Sequence, residues 1–379
     1  MLKIGIIGCG KIADAHASEI RRIGGCKIAG VCDREELMAK QLAERFGADH
    51  YFSEPAELLD KCRPDVVHIT TPPQSHCPLG TMCLDAGSHI YIEKPFSLTA
   101  PEAEHLLQYA EDKGLKVTVG HDAQFSHVTR RLRNEIANGY LGGPPVHMES
   151  YYCYNISADG YAKALLADPQ HWVRKLPGQL LQNVISHGIA RIAEHLSTDR
   201  PTVIAYGAIS PALKRLGEHQ IIDELRVIIS EEGRTGYFTF SSQMRPALNQ
   251  FRIYGPKNGL LLDQGNETLI RLGGAKFKSY AEHFIAPLGF ARQYVRNVST
   301  NLRKFIASDF HMKAGMKHLI ETFYESISQH RPVPIPYREI VLTARIMDSI
   351  FEQIRDEHRV APNVMSPRLH DVPAAAVLK

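Results

Sequence analysis

Near its start the chain reads Leu2-Lys3-Ile4-Gly5-Ile6-Ile7-Gly8-Cys9-Gly10-Lys11-Ile12-Ala13, a short apolar run followed at once by a glycine-rich turn. The apolar run predicts a buried strand, and the residues after the turn begin a helix. The glycines permit a tight turn and a close approach of the backbone to a pyrophosphate, which would bind at the positive end of the helix. Because glycine turns after strands are common, this turn alone is weak evidence for a dinucleotide site.

The second predicted strand ends at Asp33, which strengthens that interpretation. A carboxylate there can bond both ribose hydroxyls of an adenosine, although Asp33 could also cap the next helix. Its charge repels a 2′-phosphate and so favours NAD, whereas Arg34 could pair with that phosphate and make NADP the cofactor. The residues predicted to bind the dinucleotide from this evidence are Gly8, Gly10, Lys11, Ile12, Asp33 and Arg34.

The order of predicted elements indicates an α/β fold with two different sheets. Strands at 2–7, 27–32, 50–52, 65–70, 89–92 and 116–119 alternate with helix-length stretches, which predicts a doubly wound parallel sheet. Strands at 146–154, 202–209, 224–230, 235–241 and 249–254 follow one another without helices, which predicts an open, mainly antiparallel sheet. We therefore expect a cofactor domain over residues 1–122 and a domain for substrate binding and oligomerisation over residues 123–379.

Composition excludes several other classes of protein. Of 379 residues, 44% are hydrophobic and 22% charged, as in an ordinary globular protein. The charges of the 44 basic and 41 acidic residues nearly cancel, so no overall field attracts nucleic acid.

The start of the chain resembles no signal peptide and no run is long enough to span a membrane, so we expect a cytoplasmic protein. The seven cysteines form no Cys-x-x-Cys pair, and we predict reduced thiols and no metal site.

The segment Tyr91-Ile92-Glu93-Lys94-Pro95 supplies the first candidate for chemistry. It places Lys94 at the carboxyl end of a predicted strand, the edge at which doubly wound sheets bind ligands. An ammonium there would stabilise an alkoxide, and partial desolvation would lower its pKa enough for proton transfer. The alternative is an ordinary solvated lysine after a strand.

Five motifs in order resemble the Gfo/Idh/MocA oxidoreductases, named for glucose–fructose oxidoreductase and inositol dehydrogenase. They are the glycine turn with Ala15-His16, the turn from Thr70 to His76, Glu93-Lys94-Pro95, the segment Gly120 to Phe125, and the segment Gly178 to His187. The resemblance implies a Rossmann domain followed by an α/β domain whose open sheet forms one wall of the substrate cleft. It also implies NAD or NADP as cofactor, a carbohydrate or polyol as substrate, and a homodimer or homotetramer.

The resemblance also assigns residues. It places Lys94 beside the nicotinamide and the reacting hydroxyl, with a cis peptide before Pro95, and matches His187 to the catalytic histidine. Since alcohol oxidation needs a proton acceptor of near-neutral pKa, we assign His187 as general base and Lys94 as proton relay and alkoxide stabiliser, with exchange of these roles left open. Without the resemblance, His187 would be read as a core histidine. Further cofactor residues implied are Thr71, Pro72, His76 and Glu93, and further substrate residues are Gln124 and Asn183.

Two features depart from the usual pattern or extend it. Asn183 stands four residues before His187, where the family usually has aspartate, so the histidine has no carboxylate one turn away, which suggests a different substrate or reaction. Trp172 could stack on a sugar, and Arg174 or Lys175 could pair with a substrate phosphate or carboxylate. The alternative for both is a surface loop with a packed tryptophan and solvated charge.

Residues 290–306 form a predicted basic amphipathic helix. An apolar stripe runs through Phe290, Tyr294, Val298, Leu302 and Phe305, and no acidic residue lies between Glu282 and Asp309. We expect this stripe to pack on the core or on another subunit. Contact with an anionic membrane surface, or with a phosphate-bearing substrate, is the alternative.

The sequence therefore predicts an NAD(P)-dependent oxidoreductase acting on a hydroxyl or keto carbon of a carbohydrate or polyol, which could be a nucleotide- or lipid-linked sugar. One alternative is an enzyme that recycles a tightly bound NAD, as an epimerase or glycosidase would. Another is a cofactor-binding sensor or regulator without catalysis. The presence of both Lys94 and His187 argues against the sensor, because binding alone does not need both.

Overall fold

The computed structural model describes residues 1–155, 165–274, 280–311 and 313–360. The strands of its first sheet are β1 (Leu2–Ile7), β2 (Cys26–Cys32), β3 (Tyr51–Phe52), β4 (Val66–Ile69), β5 (His89–Ile92) and β6 (Val117–Val119). They lie in the order β3-β2-β1-β4-β5-β6, and every neighbouring pair is parallel. The order reverses between β1 and β4, and in such sheets ligands bind at the carboxyl ends of the strands at this point.

Five helices connect these strands, namely α1 (Lys11–Ile20), α2 (Glu36–Phe46), α3 (Pro55–Cys62), α4 (His76–Asp85) and α5 (Ala100–Asp112). The strands are apolar on both faces, so the helices bury them from both sides. The result is a Rossmann fold, and the predicted parallel sheet is confirmed.

The second sheet contains β7 (His147–Tyr152), β8 (Thr202–Ala208), β9 (Glu224–Glu231), β10 (Arg234–Ser241), β11 (Asn249–Tyr254), β12 (Gly259–Asp263) and β13 (Thr268–Leu272). Its order is β13-β12-β11-β7-β10-β9-β8, and all neighbours are antiparallel except β7 and β10. The prediction of a mainly antiparallel sheet is confirmed. It missed β12 and β13, because these five-residue strands lack the alternation of polar and apolar residues that marks the others.

The remaining helices are α6 (His127–Ala137), α7 (Gln179–Val184), α8 (Ser186–Ala193), α9 (Pro211–Arg215), α10 (Glu282–Ile306), α11 (Ala314–Ser328) and α12 (Tyr337–Val360). Helix α8 packs Ile189 and Ile192 on the second sheet, whereas α11 packs Phe323 and Tyr324 on the core of the first. The domain boundary after residue 122 stays a prediction. No helix in the described ranges is both long enough and apolar enough to cross a bilayer. The residues after Val360 lie outside the described part of the chain.

Candidate active site

The glycine turn connects β1 to α1 at the point where the strand order reverses. Gly8 has a φ of +96°, and a Cβ there would lie 2.8 Å from Thr71 Cγ2, so the turn requires glycine. A Cβ on Gly10 would meet no atom within 4 Å, which leaves open space beside the turn. Among the described residues no side chain caps the first turn of α1, so its backbone N–H groups can hold a pyrophosphate.

Asp33 ties the glycine turn to the connection after β2. Its Oδ2 accepts a hydrogen bond from Cys9 N at 2.7 Å, and its Oδ1 accepts one from Glu35 N at 3.0 Å. The N-cap residue of α2 is Glu35, so Asp33 does not serve as the helix cap that the sequence allowed. The carboxylate is half-buried, and each oxygen retains a second lone pair for a ribose hydroxyl. Lys11 and Arg34 are exposed, and Ile12 is half-buried.

His76 joins the two loops that follow β4 and β5. Its ring is buried, with Nδ1 2.9 Å from Pro95 O and Nε2 2.9 Å from Thr71 O. It thereby fixes the turn at Thr71 and Pro72 relative to Lys94. Its direct participation in cofactor binding stays a prediction.

Glu93 begins a chain of buried hydrogen bonds beneath this turn. Its Oε1 lies 2.9 Å from His16 Nε2, His16 Nδ1 lies 2.8 Å from His68 Nδ1, and His68 Nε2 lies 2.7 Å from Tyr324 OH. Burial acts to raise the pKa of Glu93, but the hydrogen bond and charge of His16 outweigh it and lower that pKa. Glu93 is therefore a carboxylate, and it also accepts a 3.2 Å hydrogen bond from Lys94 N.

Lys94 projects from the end of β5 towards α7, and the Lys94–Pro95 peptide is cis. Its Nζ donates a 2.9 Å hydrogen bond to the backbone carbonyl of Asn183. Burial lowers the pKa of the ammonium, while the nearby charges of Glu93 and Asp122 act to raise it. The sequence predicts substrate contact for the side chain of Asn183, and in the structure its backbone carbonyl also holds Lys94.

His187 lies in the first turn of α8 and is almost completely buried. Its Nε2 is 3.9 Å from Asp122 Oδ1, and its Nδ1 finds no hydrogen-bond partner among the described residues. Burial lowers the pKa of His187 well below its ordinary value of 6.5, and the positive charge of Lys94 lowers it further. The imidazole is therefore neutral near pH 7, as a proton acceptor must be.

Asp122 is the residue that sequence reasoning missed at the centre of this site. Besides facing His187, its Oδ2 lies 3.7 Å from Lys313 Nζ. Lys313 is brought there by close packing of α11, since a Cβ on Gly315 would lie only 2.4 Å from Asp122 O. The position of Asp122 after the last parallel strand could have indicated its role, whereas no sequence signal connects Lys313 to the site.

The other predicted substrate residues are held by protein partners. Gln124 is buried, and its Nε2 donates to Glu194 Oε2 at 3.0 Å. Arg174 Nη2 donates to Glu218 Oε2 at 2.7 Å, and both side chains are largely buried. Trp172 is half-buried, and its carbonyl accepts a 3.3 Å hydrogen bond from Gln74 Nε2. Contact of these three side chains with a substrate stays a prediction.

Two further buried basic side chains, His121 and Arg191, lie near His187. His121 lies 5.7 Å from it, centroid to centroid, and burial lowers the pKa of His121 to about 4. Arg191, one helical turn after His187, has its guanidinium 5.8 Å from the centre of the Tyr152 ring. Burial lowers the pKa of Arg191 to about 10, so it remains a cation. The part of the chain that the structure describes contains no group of histidine, cysteine and carboxylate side chains placed so that it could hold a metal ion.

A parallel sheet in this order, with a glycine turn and a free helix N-terminus at its switch point, defines a dinucleotide-binding protein. Residues 2–121 match the model of a family, GFO_IDH_MocA, described as an oxidoreductase family with an NAD-binding Rossmann fold. The match confirms, over these residues, the resemblance to the Gfo/Idh/MocA oxidoreductases seen in the sequence.

Individual proteins of known name are similar to parts of the chain or to its fold. D-glucoside 3-dehydrogenase of Escherichia coli is 32% identical over 142 residues, which are 37% of this chain and 40% of that protein. Myo-inositol 2-dehydrogenase of Thermotoga maritima is 25% identical over 145 residues, 38% of this chain and 43% of that protein. The solved structure of UDP-N-acetylglucosamine 3-dehydrogenase from Acidithiobacillus ferrooxidans has a TM-score of 0.67 at 20% identity, covering 94% of this chain and 97% of that one.

These similarities differ in how much of the chain they cover. The chain spans only about half the length, or less, of the curated relatives that it matches first. The likeness to the solved structure extends over both sheets and shows the fold of the whole described chain.

Proposed function

We propose that this protein is an NAD-dependent oxidoreductase that moves a hydride between nicotinamide and a hydroxyl or keto carbon of a carbohydrate or polyol. The observation that carries the proposal is the contact of Lys94 with α7, the helix directly before the one that carries His187, through the 2.9 Å hydrogen bond from Lys94 Nζ to Asn183 O. The ammonium at the end of the cofactor sheet thereby lies near enough to the neutral imidazole of His187 for its charge to lower the pKa of that histidine. The names of the similar proteins, which specify a glucoside, an inositol and a nucleotide sugar, support the substrate class.

The chain's own residues fit an NAD molecule and the chemistry around it. Gly8, Gly10 and the start of α1 would hold the pyrophosphate, and Asp33 the adenosine ribose. When bound, the nicotinamide supplies the two-electron acceptor or donor at the carboxyl edge of the sheet. The exposed Arg34 leaves room for NADP as an alternative cofactor.

His187 and Lys94 would divide the proton chemistry. The buried Nδ1 leaves Nε2 of His187, on the Asp122 side, as the nitrogen that accepts the hydroxyl proton. The Lys94 ammonium stabilises the developing alkoxide, and the carboxylates of Glu93 and Asp122 keep it protonated despite burial. The neutral Asn183 adds no charge to the imidazole, so the pKa of His187 stays low.

The proposal is tested by following nicotinamide fluorescence in the purified protein with NAD or NADP against free sugars, polyols and nucleotide sugars. Lys94→Ala is measured alongside, with the exposed Lys40→Ala as matched control. We expect a substrate-dependent signal that Lys94→Ala abolishes and Lys40→Ala leaves intact. Cofactor binding without turnover of any compound would contradict the dehydrogenase and favour the sensor. Substrate conversion without net NADH would indicate a recycled cofactor instead.

A further inference from the structure

Helix α10 attaches to the second sheet through its polar side. Gln293 bonds the backbone of Arg271 in the edge strand β13, accepting from its N at 2.8 Å and donating to its O at 3.2 Å. One turn later, buried Asn297 bonds Leu269 in the same way, at 3.2 and 3.0 Å. These amide side chains cover the free edge of the sheet, where unpaired backbone groups would otherwise face solvent.

The opposite side of α10 carries a long row of exposed apolar side chains. Its members are spaced three, four or seven residues apart, so they share one face of the helix. Each is 56 to 71% exposed, and the members are Phe284, Leu288, Val295, Val298, Leu302 and Phe305. Val298, Leu302 and Phe305 belong to the predicted stripe, and their exposure shows that these three side chains do not pack on the core within the described residues. A helix that turns its polar side to the protein and its apolar side to solvent exposes an apolar surface, and such surfaces are typical of interaction sites.

Positive charge accompanies this outer face. Arg292, Arg296 and Arg303 are exposed along one flank of the row, and none forms an ion pair within the described ranges. No acidic residue occurs from His283 to Ser308. Beneath the helix lies a groove of about 700 Å³, and the charged residues among the described residues lining it are Arg131, Arg271, Arg292, Arg296, Glu135 and Glu282.

We propose that α10 docks this protein on an anionic phospholipid surface. The helix would lie in the plane of the interface, with its apolar row among the acyl chains and its arginines at the lipid phosphates. Charge favours this occupant over a second copy of the chain. An antiparallel pair of α10 helices related by a two-fold axis would bring both basic flanks to the same side, and residues 283–308 offer no carboxylate to neutralise them.

The test is flotation of the full-length protein with lipid vesicles of two compositions, phosphatidylcholine alone and phosphatidylcholine with phosphatidylserine. We expect binding to the anionic vesicles and little to the neutral ones. Leu288→Asp with Leu302→Asp should weaken that binding at least tenfold, because both side chains leave the acyl region. Arg292→Glu with Arg303→Glu should weaken it tenfold or more, since each basic residue contributes about fivefold.

Ile204→Asp is the matched control, because Ile204 is an exposed apolar residue of β8 far along the same sheet. It should leave vesicle binding unchanged. Because all the altered side chains are exposed, each variant should keep the melting temperature of the parent, which is measured to exclude misfolding. The proposal is overturned if anionic vesicles do not bind the protein. It is equally overturned if sedimentation shows a lipid-free dimer that Leu302→Asp dissociates, since the row would then cover a second copy.

Discussion

On the cofactor side of the candidate site, neighbouring loops of one sheet hold each other: Asp33 anchors the glycine turn through Cys9 N, and His76 joins the Thr71 and Pro95 carbonyls. On the opposite side, the residues around His187 come from distant parts of the chain, as Asp122 meets both the imidazole and Lys313. The first side is assembled from recurrent local motifs, and the second from tertiary packing. A substitution on the first side should therefore affect cofactor binding, and one on the second should affect proton transfer.

The largest expected effect is on the second side. His187→Ala removes the proposed proton acceptor and should lower kcat by about 10²- to 10⁴-fold, while NAD still binds to the intact turn. Steady-state kinetics and NAD titration measure the two quantities. The control is His195→Ala, since His195 stacks on Phe251 outside the site. Equal loss of kcat in both variants would show that the effect comes from packing and not from proton transfer.

Asp122→Asn should change the pH dependence more than the maximal rate. Removing this carboxylate removes one charge that raises the pKa of Lys94, so that pKa falls. The alkaline limit of activity, where Lys94 loses its proton, should therefore move to lower pH. The exposed Asp60→Asn is the matched control. An unmoved alkaline limit would mean that Asp122 does not act on the group that titrates there.

On the cofactor side, substitutions of Gly8 and Gly10 distinguish an effect on stability from an effect on cofactor affinity. Gly8→Ala should lower the free energy of unfolding by about 1–2 kcal/mol, because its φ of +96° and the 2.8 Å approach to Thr71 both disfavour a Cβ. Gly10→Ala should change it by less than about 0.5 kcal/mol but weaken NAD binding, since its Cβ fills only the open space. Denaturant unfolding and NAD titration measure both. Normal NAD affinity in folded Gly10→Ala would place the pyrophosphate elsewhere.

The sequence also predicted the two sides of the site to different extents. Strands 2–7, 89–92 and 249–254 coincide with those of the structure, because their apolar patterns are local. Lys94 and His187 were found through short motifs. Asp122 was read only as part of a segment, and Lys313 could not be found, because its place depends on how α11 packs against Asp122. The stripe predicted for residues 290–306 shares only Val298, Leu302 and Phe305 with the outward row of α10, and periodicity marks an apolar face without saying what covers it.

The most direct test of the central claim is the pH dependence of kcat/KM, which reports the essential acid and base of the free enzyme. Because the base form of His187 is present above its lowered pKa, activity should be maximal near neutrality and fall only below 6.5. Because Lys94 must keep its proton, activity should fall again at a pH below its ordinary pKa of 10.5. A rate that instead rises steadily from neutral into alkaline pH would contradict the account, since Lys94 would then be the proton acceptor.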